Sequence, residues 1–218
     1  MFVGHYGPSF LAKRFAPSVS LWVLFIAVQL LDVAWAILVF LGGERLRIVP
    51  GFTATNALDL YYMPYTHSLP GALAWAAGAA ILYRVLTGSS RGSVLVGVAV
   101  FSHWPLDLLV HRPDLPLFDD TAKVGLGLWD YPYVTLLIEA ALLFGAMGVY
   151  LAASQTRTRR GRYAIPVFGA AMLVMQASML FTPPPPSEQA MAATALIAYV
   201  VLAAVIAWLE RGRVAGEG

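Results

Sequence analysis

Apolar residues run in six long blocks, each near the roughly 20 residues that a helix needs to cross a bilayer's hydrocarbon core. The blocks lie near residues 17–42, 66–87, 92–111, 132–153, 163–181 and 190–209. The pattern predicts an all-α fold: a polytopic membrane helix bundle of six transmembrane helices, one domain over residues 1–218, preceded by a short N-terminal half-helix. The leading stretch "VGHYGPSFLAKRFAP" is too short to span. Turned back at Pro17, it would carry His5 roughly 12 Å into the membrane at the rise of a helix; lying flat, it would leave His5 among headgroups. No internal repeat is visible, so nothing supports an inverted-repeat transporter.

Composition agrees with this pattern. The chain is 59% hydrophobic and 12% charged, with a mean hydropathy of +0.71, outside the balance of a soluble domain. There is no cysteine, which removes disulfides, thiolate metal sites and cysteine nucleophiles; any metal must be held by His and carboxylate. The opening residues lack the basic start, apolar core and cleavage site of a signal peptide, so the N-terminus reads as mature. The net charge of +2 comes from basic connections, which report topology rather than nucleic-acid binding. Lys13, Arg14, Arg84, Arg91, Arg157, Arg159, Arg160, Arg162, Arg211 and Arg213 fall on one side, against Arg45, Arg47, Arg112 and Lys123 on the other. Ten against four predicts cytoplasmic termini, with the connections at 43–65 and 112–131 facing outward. The four prolines at 183–186 predict a stiff outer turn, and the small residues Gly71, Ala74 and Gly78 predict a face for close helix packing.

Against this apolar background the ionisable groups stand out, because an unpaired charge in hydrocarbon costs several kcal/mol. Asp32 interrupts the first block, His67 starts the second, His103 and Asp107 lie in the third within "FSHWPLDLLVH", and Glu139 lies in the fourth. Counted from the outer span ends, Asp32 and His103 fall roughly 12 to 15 Å deep, Glu139 roughly 10 Å and Asp107 roughly 6 Å, so they can meet. His103 and Asp107, at i and i+4, share a helix face, the spacing by which one helix gives two ligands to one metal. Pro105 between them removes a backbone donor and predicts a kink. A lone membrane histidine is more often an interhelical hydrogen bonder than a ligand; several spans contributing at compatible depth favour the site. Glu139 reads as a packing or supporting hydrogen bonder. His111, roughly 12 Å of helical rise above His103, is excluded from the pair unless the helix unwinds, and marks the outer mouth. Asp114, Asp119 and Asp120 read as a solvated loop without an EF-hand pattern.

These residues resemble a family. Gly4-His5, Asp32 in "LLDVA", Thr66-His67-Ser68-Leu69 and Ser102-His103 with Asp107 are similar, in that order over about residues 4–110, to the YdjM-type inner-membrane metal-dependent hydrolases, a group linked to the zinc-dependent phospholipase C superfamily. The resemblance implies metal ligation by His5, Asp32, His67, His103 and Asp107, a divalent ion with zinc the first choice, and a bacterial inner-membrane location. The chain departs from the family at Val33, Ala34 and Trp35, and at Met63, Pro64 and Tyr65. Those departures leave a mononuclear site, or one without a catalytic metal, as the expectation.

The leading expectation is thus a membrane-embedded hydrolase acting on a lipid or amphipathic (phospho)ester through a metal-activated water. Asp32 and Asp107 would be the catalytic carboxylates, Asp32 the choice for general base, while Arg112, His111, Arg45 and Arg47 would anchor a headgroup. The partners are membrane lipid and the substrate; nucleic acid is not among them, and the oligomeric state is open. The competing reading is a proton- or cation-coupled transporter or channel using the same cluster; a silent scaffold is the third. Topology has a direct test in this cysteine-free chain: Asp119→Cys should react with an impermeant thiol reagent in intact cells and Gly88→Cys only after permeabilisation. Outward labelling of Gly88→Cys would reverse the orientation.

Overall fold

The computed structural model describes residues 1–156 and 159–215; Arg157 of the basic set lies outside them. A 3-10 turn (Val3–His5) leads into α1 (Tyr6–Phe15), followed by α2 (Leu21–Val28), α3 (Leu30–Phe40), β1 (Arg45–Ile48), β2 (Leu58–Tyr62), α4 (Leu69–Thr87), α5 (Ser90–Phe101), α6 (His103–Val110), β3 (Leu115–Phe118), β4 (Thr121–Val124), α7 (Pro132–Ala152), α8 (Arg159–Ser178) and α9 (Glu188–Glu210). The expected helical class is present. Among the described residues, α4, α5 and α6 read through as Ser90–Val110, α7 and α9 are long and apolar enough to cross a membrane; α2 and α3, bent by 55°, add a fifth span if counted together. The block at 163–181 forms α8, but that helix opens on the basic run "RRGR" and contains Pro166, and it does not join this set. Six spans are therefore not all accounted for by length and composition.

The N-terminal segment folds back into the bundle. Its turn is held by Lys13, whose Nζ donates to the carbonyls of Pro17 and Val19 at 2.7 and 2.8 Å and pairs with Glu210 at 2.6 Å. With α1 packed against α7 and α2, Tyr6 and Phe10 are fully buried. The flat, interfacial alternative is not what forms.

Local rules place the remaining helices. Gly88 ends α4 in the left-handed region at φ 72°, and Ser89 caps α5 by accepting from Gly92 N at 3.0 Å, so the two helices return antiparallel through a tight turn. Their contact face differs from the expected small-residue stripe. Ala74 and Gly78 are exposed, and a Cβ on Gly78 would meet nothing within 4 Å. The buried positions are Ala72 and Ala76, and Gly97 is the close one: a Cβ there would lie 3.2 Å from the Ala76 carbonyl.

The two long connections, expected as loops, each form an antiparallel hairpin, β1 with β2 and β3 with β4. Strands of four or five residues interrupted by Pro and Asp carry too little alternation to read from sequence.

Gly7 fixes how closely α1 approaches α7, since a Cβ there would lie 2.7 Å from the Leu142 carbonyl oxygen. Backbone cannot yield as a side chain does. Gly7→Ala is expected to destabilise by about 1–3 kcal/mol, more than the roughly 1 kcal/mol of helix propensity it adds. A thermal unfolding midpoint equal to or above that of the unsubstituted protein would refute the close packing.

Candidate metal centre

Three helix interruptions build the centre. The first lies at Gln29, between α2 and α3. There the Val28 carbonyl, at an end of α2 where carbonyls lack their i+4 donors, accepts from His103 Nδ1 at 2.7 Å, while Asp32 lies in the first turn of α3. The second lies at Ser68, which caps α4 by accepting from Gly71 N at 3.1 Å and donates to the Pro64 carbonyl at 2.6 Å. Pro70 sits in the first turn, where no N–H is required. His67 is thereby kept out of the helix, and its carbonyl accepts from Trp104 Nε1 at 2.9 Å.

The third interruption, at Ser102, separates α5 from α6 and leaves Pro105 in the first turn of the new helix. A break near Pro105 is present, although α5 and α6 still read through as one span, Ser90–Val110. At its other end α6 stops at Val110, because Pro113 cannot continue a helix, and His111 adopts an extended backbone with ψ 146°. Between His103 and His111 the helix is unbroken, so His111 stands one turn beyond Asp107 and in no ligand group with His103.

The result gathers all four histidines around one carboxylate. Asp107 Oδ1 accepts from His5 Nε2 at 3.0 Å and from the Met1 amino group at 2.8 Å. Its Oδ2 faces the Nε2 atoms of His103, His111 and His67 at 3.0, 3.6 and 3.7 Å. A second carboxylate oxygen, Asp32 Oδ1, lies 3.3 Å from His67 Nε2 and 3.5 Å from His103 Nε2. Tyr199 holds its other oxygen at 2.8 Å. The rings of His5 and His103 stack at 3.8 Å, and all four histidines and Asp107 are buried.

Proton positions follow from the partners of each Nδ1. Those of His103 and His111 face acceptors, the Val28 carbonyl and Asp114 Oδ1 at 2.8 Å, and must carry hydrogen. His67 Nδ1 lies 2.7 Å from Thr66 Oγ1. That hydroxyl spends its single proton on Glu44 Oε2 at 2.6 Å, so it accepts from His67. With each Nδ1 committed, the three rings present only their Nε2 atoms to the two carboxylates. Lone pairs facing carboxylates repel unless a cation or protons lie between them. Although His103 Nε2 is 3.0 Å from Asp107, it has no hydrogen-bond partner; the ring points between its neighbours rather than at one of them.

The spacing fits an ion. Four ligands at the 2.0–2.1 Å of a tetrahedral zinc-type site lie about 3.3 Å apart. The four nitrogen-to-oxygen separations among His67, His103, Asp32 and Asp107 are 3.0, 3.3, 3.5 and 3.7 Å. Two ligand-competent triads, His5 with His103 and Asp107, and Asp32 with His67 and His103, each lie within 4.8 Å. This buried group could hold a metal ion.

The other expected site residues fall elsewhere. Arg45 and Arg47 are exposed on β1, Arg47 lying over the Tyr61 ring and 3.8 Å from Asp59. Arg112 donates to the Phe52 carbonyl at 2.8 Å and lies over the Phe52 ring. None of the three lines the cavity beside the cluster. Glu139, expected to support packing, accepts from Phe2 N and Gly4 N at 3.0 and 3.1 Å and so fixes the segment that carries His5. Sequence reasoning missed Glu44, Thr66, Asp114 as partner of His111, and Tyr199. Thr66 beside His67 and the three-residue step from His111 to Asp114 were readable signals; nothing in the sequence marks Glu44 or Tyr199.

No family model, curated relative or solved structure matches the chain.

Protein purified without a histidine tag is expected to carry about one equivalent of a divalent transition ion, lost in His103→Ala and Asp107→Ala. Thr66→Val, which removes the partner of His67 Nδ1, should weaken binding by about 10–100-fold with the fold intact. Less than about a tenth of an equivalent in the unsubstituted protein would rule the metal centre out.

Proposed function

We propose that the chain is a membrane-embedded metal-dependent hydrolase acting on a lipid or amphipathic (phospho)ester. The observation that carries this reading is the convergence of two Nδ1-tethered imidazoles, His67 and His103, on Asp32 and Asp107 at nitrogen-to-oxygen separations near those of a tetrahedral site. With neutral rings, Asp32 and Asp107 carry two negative charges against the single positive charge of the Met1 amino group on Asp107 Oδ1; a cation at the Nε2 atoms would answer the remainder, which is costly to bury alone. Imidazole and carboxylate donors in this geometry suit zinc. In this reading α8 and the bent α2–α3 pair complete six spans, both termini are cytoplasmic, and the membrane is a bacterial inner membrane.

When bound, the ion supplies Lewis-acid chemistry, lowering the pKa of a water and polarising the scissile group. The protein's own residues do the rest. His67, His103 and Asp107 would hold the ion and leave a position open to water, and Tyr199 fixes the orientation of Asp32 beside them. His111 lies on the cavity wall, tilted against Trp129 at 4.2 Å, with Nδ1 committed to Asp114 and Nε2, 3.6 Å from Asp107, left to take or give a proton. Asp32, 18% exposed toward the cavity, is the alternative proton acceptor.

A carrier would need polar groups leading on from the cluster to the opposite face. Instead Tyr6, Phe10, Leu24 and Phe25 are fully buried together within the apolar core, between the cluster and the Lys13–Glu210 pair at the far end of α1. This favours a site open on one side.

The test is hydrolysis. The metal-loaded protein in lipid nanodiscs should release product from at least one member of a panel of phosphoester and carboxylic-ester amphiphiles, and His103→Ala should abolish release. Asp114→Asn should lower kcat by about 10²-fold or more with the metal retained, the scale of general acid–base catalysis. Metal retained without turnover of any ester, together with ion flux in liposomes, would transfer the cluster to a carrier.

A further inference from the structure

One cavity of about 580 Å³ begins at the cluster and runs away from it between α3, α8 and α9. Its two ends differ in chemistry. Asp32, His67, Asp107, His111 and Glu139 line one end; Met175, Met179, Leu180, Met191, Ala195 and Ala198 line the other. Exposed residues line it in two connections, Thr182, Pro183 and Pro184 between α8 and α9, beside the apolar end, and Pro50, Gly51 and Ala54 between β1 and β2. A water-soluble ester would leave the apolar end without a partner. An amphiphile entering head first fills both ends and keeps its hydrocarbon on the side of the helix ends.

Volume limits what fits. A cavity of about 150 Å³ holds benzene, about 25 Å³ per carbon, so this one holds roughly 23 non-hydrogen atoms. That is one chain of ordinary length with a small head, and about half of a diacyl phospholipid. The wall chemistry limits it further. Of the chain's seven methionines, Met1, Met63, Met175, Met179 and Met191 line this cavity. Unbranched, polarisable thioethers adapt to a flexible partner and tolerate variation in its shape.

We propose that the cavity is a binding site for a single-chain amphiphile, one flexible hydrocarbon chain with an anionic phosphate or carboxylate head, the head facing the His/Asp cluster and the chain lying along the methionine-lined end. The proposal rests on the reading of the cluster as a cation-bearing hydrolytic site, since an anionic head is drawn to Asp32 and Asp107 only through a cation. It adds the number of chains and the direction of the ligand.

The test uses the full chain in lipid nanodiscs free of detergent, because most detergents are themselves single-chain amphiphiles. Two probes carry the same diazirine at a chain terminus: hexadecyl phosphate and dihexadecyl phosphate; hexadecanoic acid with that group distinguishes a carboxylate from a phosphate head. After photolysis, labelled positions are read by peptide mass spectrometry. The single-chain probes should label the segment from Met175 to Met191, about tenfold more than the two-chain probe, and Ala198→Phe, which fills the apolar end, should reduce that labelling about tenfold. Met191→Ala, which widens it, should admit the two-chain probe. Should Ala198→Phe fail to fold, Met179→Trp at the mouth replaces it. Equal labelling by one- and two-chain probes, or labelling of this segment that the filling variant leaves unchanged, overturns the proposal. Labelling confined to the exposed faces of α4 and α5 does the same. Labelling needs no turnover, so the two readings fail separately: a labelled cavity in a protein that hydrolyses nothing ends the hydrolase, and turnover of a diacyl ester with an unlabelled cavity ends the single-chain site.

Discussion

A carboxylate buried inside an apolar bundle has to be answered by charge or by donors, and the structure is organised around that demand at Asp107. Its two oxygens divide the surroundings between them. One takes His5 and the Met1 amino group; the other faces His103, His111 and His67. Those histidines come from the N-terminal 3-10 turn, the start of α4, and both ends of α6. Satisfying one group therefore fixes the relative placement of segments more than a hundred residues apart.

Regular helices could not deliver these side chains together, and the interruptions explain how the bundle does. A helix end exposes carbonyls that the helix interior would consume. The Val28 carbonyl goes to His103 and the His67 carbonyl to Trp104; in each case the break that re-aims a side chain also frees a backbone acceptor near the site. Glu44 shows the same economy. One oxygen accepts from Tyr65 N and Thr66 N, the other from the Thr66 hydroxyl, so a single side chain shapes the turn before α4 and sets the tautomer of His67. His111 is set by Asp114 in like manner.

How much of this was legible depended on the range of the interaction. Hydrophobic blocks exposed the helices because burial in lipid leaves a long, simple signature. His103 and Asp107 were legible as a pair because one helix turn relates them. His5, Asp32 and His67 were legible as rare groups in apolar surroundings, and the structure brings all three to the same place. His111 was legible as lying beyond the His103–Asp107 pair: it faces Asp107 at 3.6 Å and lines the cavity without joining either triad, and Pro113 two residues later was the stop signal for α6. Glu44 and Tyr199 were illegible for another reason: their partners lie 22 and 167 residues away, and no local rule spans such distances. The hairpins were lost because short strands broken by Pro and Asp produce no period. The weak apolarity of α8 was hidden by reading its block from residue 163, past the arginines that open the helix.

The layer of Tyr6, Phe10, Leu24 and Phe25 has an electrical meaning. Where a stratum of packed side chains such as these, fully buried, separates a cavity from one face, most of a transmembrane voltage falls across the stratum and the cavity stays near the potential of the other face. In the proposed hydrolase, open on one side, the buried carboxylates and imidazoles would be in electrical contact with that compartment only. Protons taken up or released at the cluster would exchange with it and do no work against the membrane field. Chemistry in such a cavity would proceed at the same rate in an energised and a collapsed membrane.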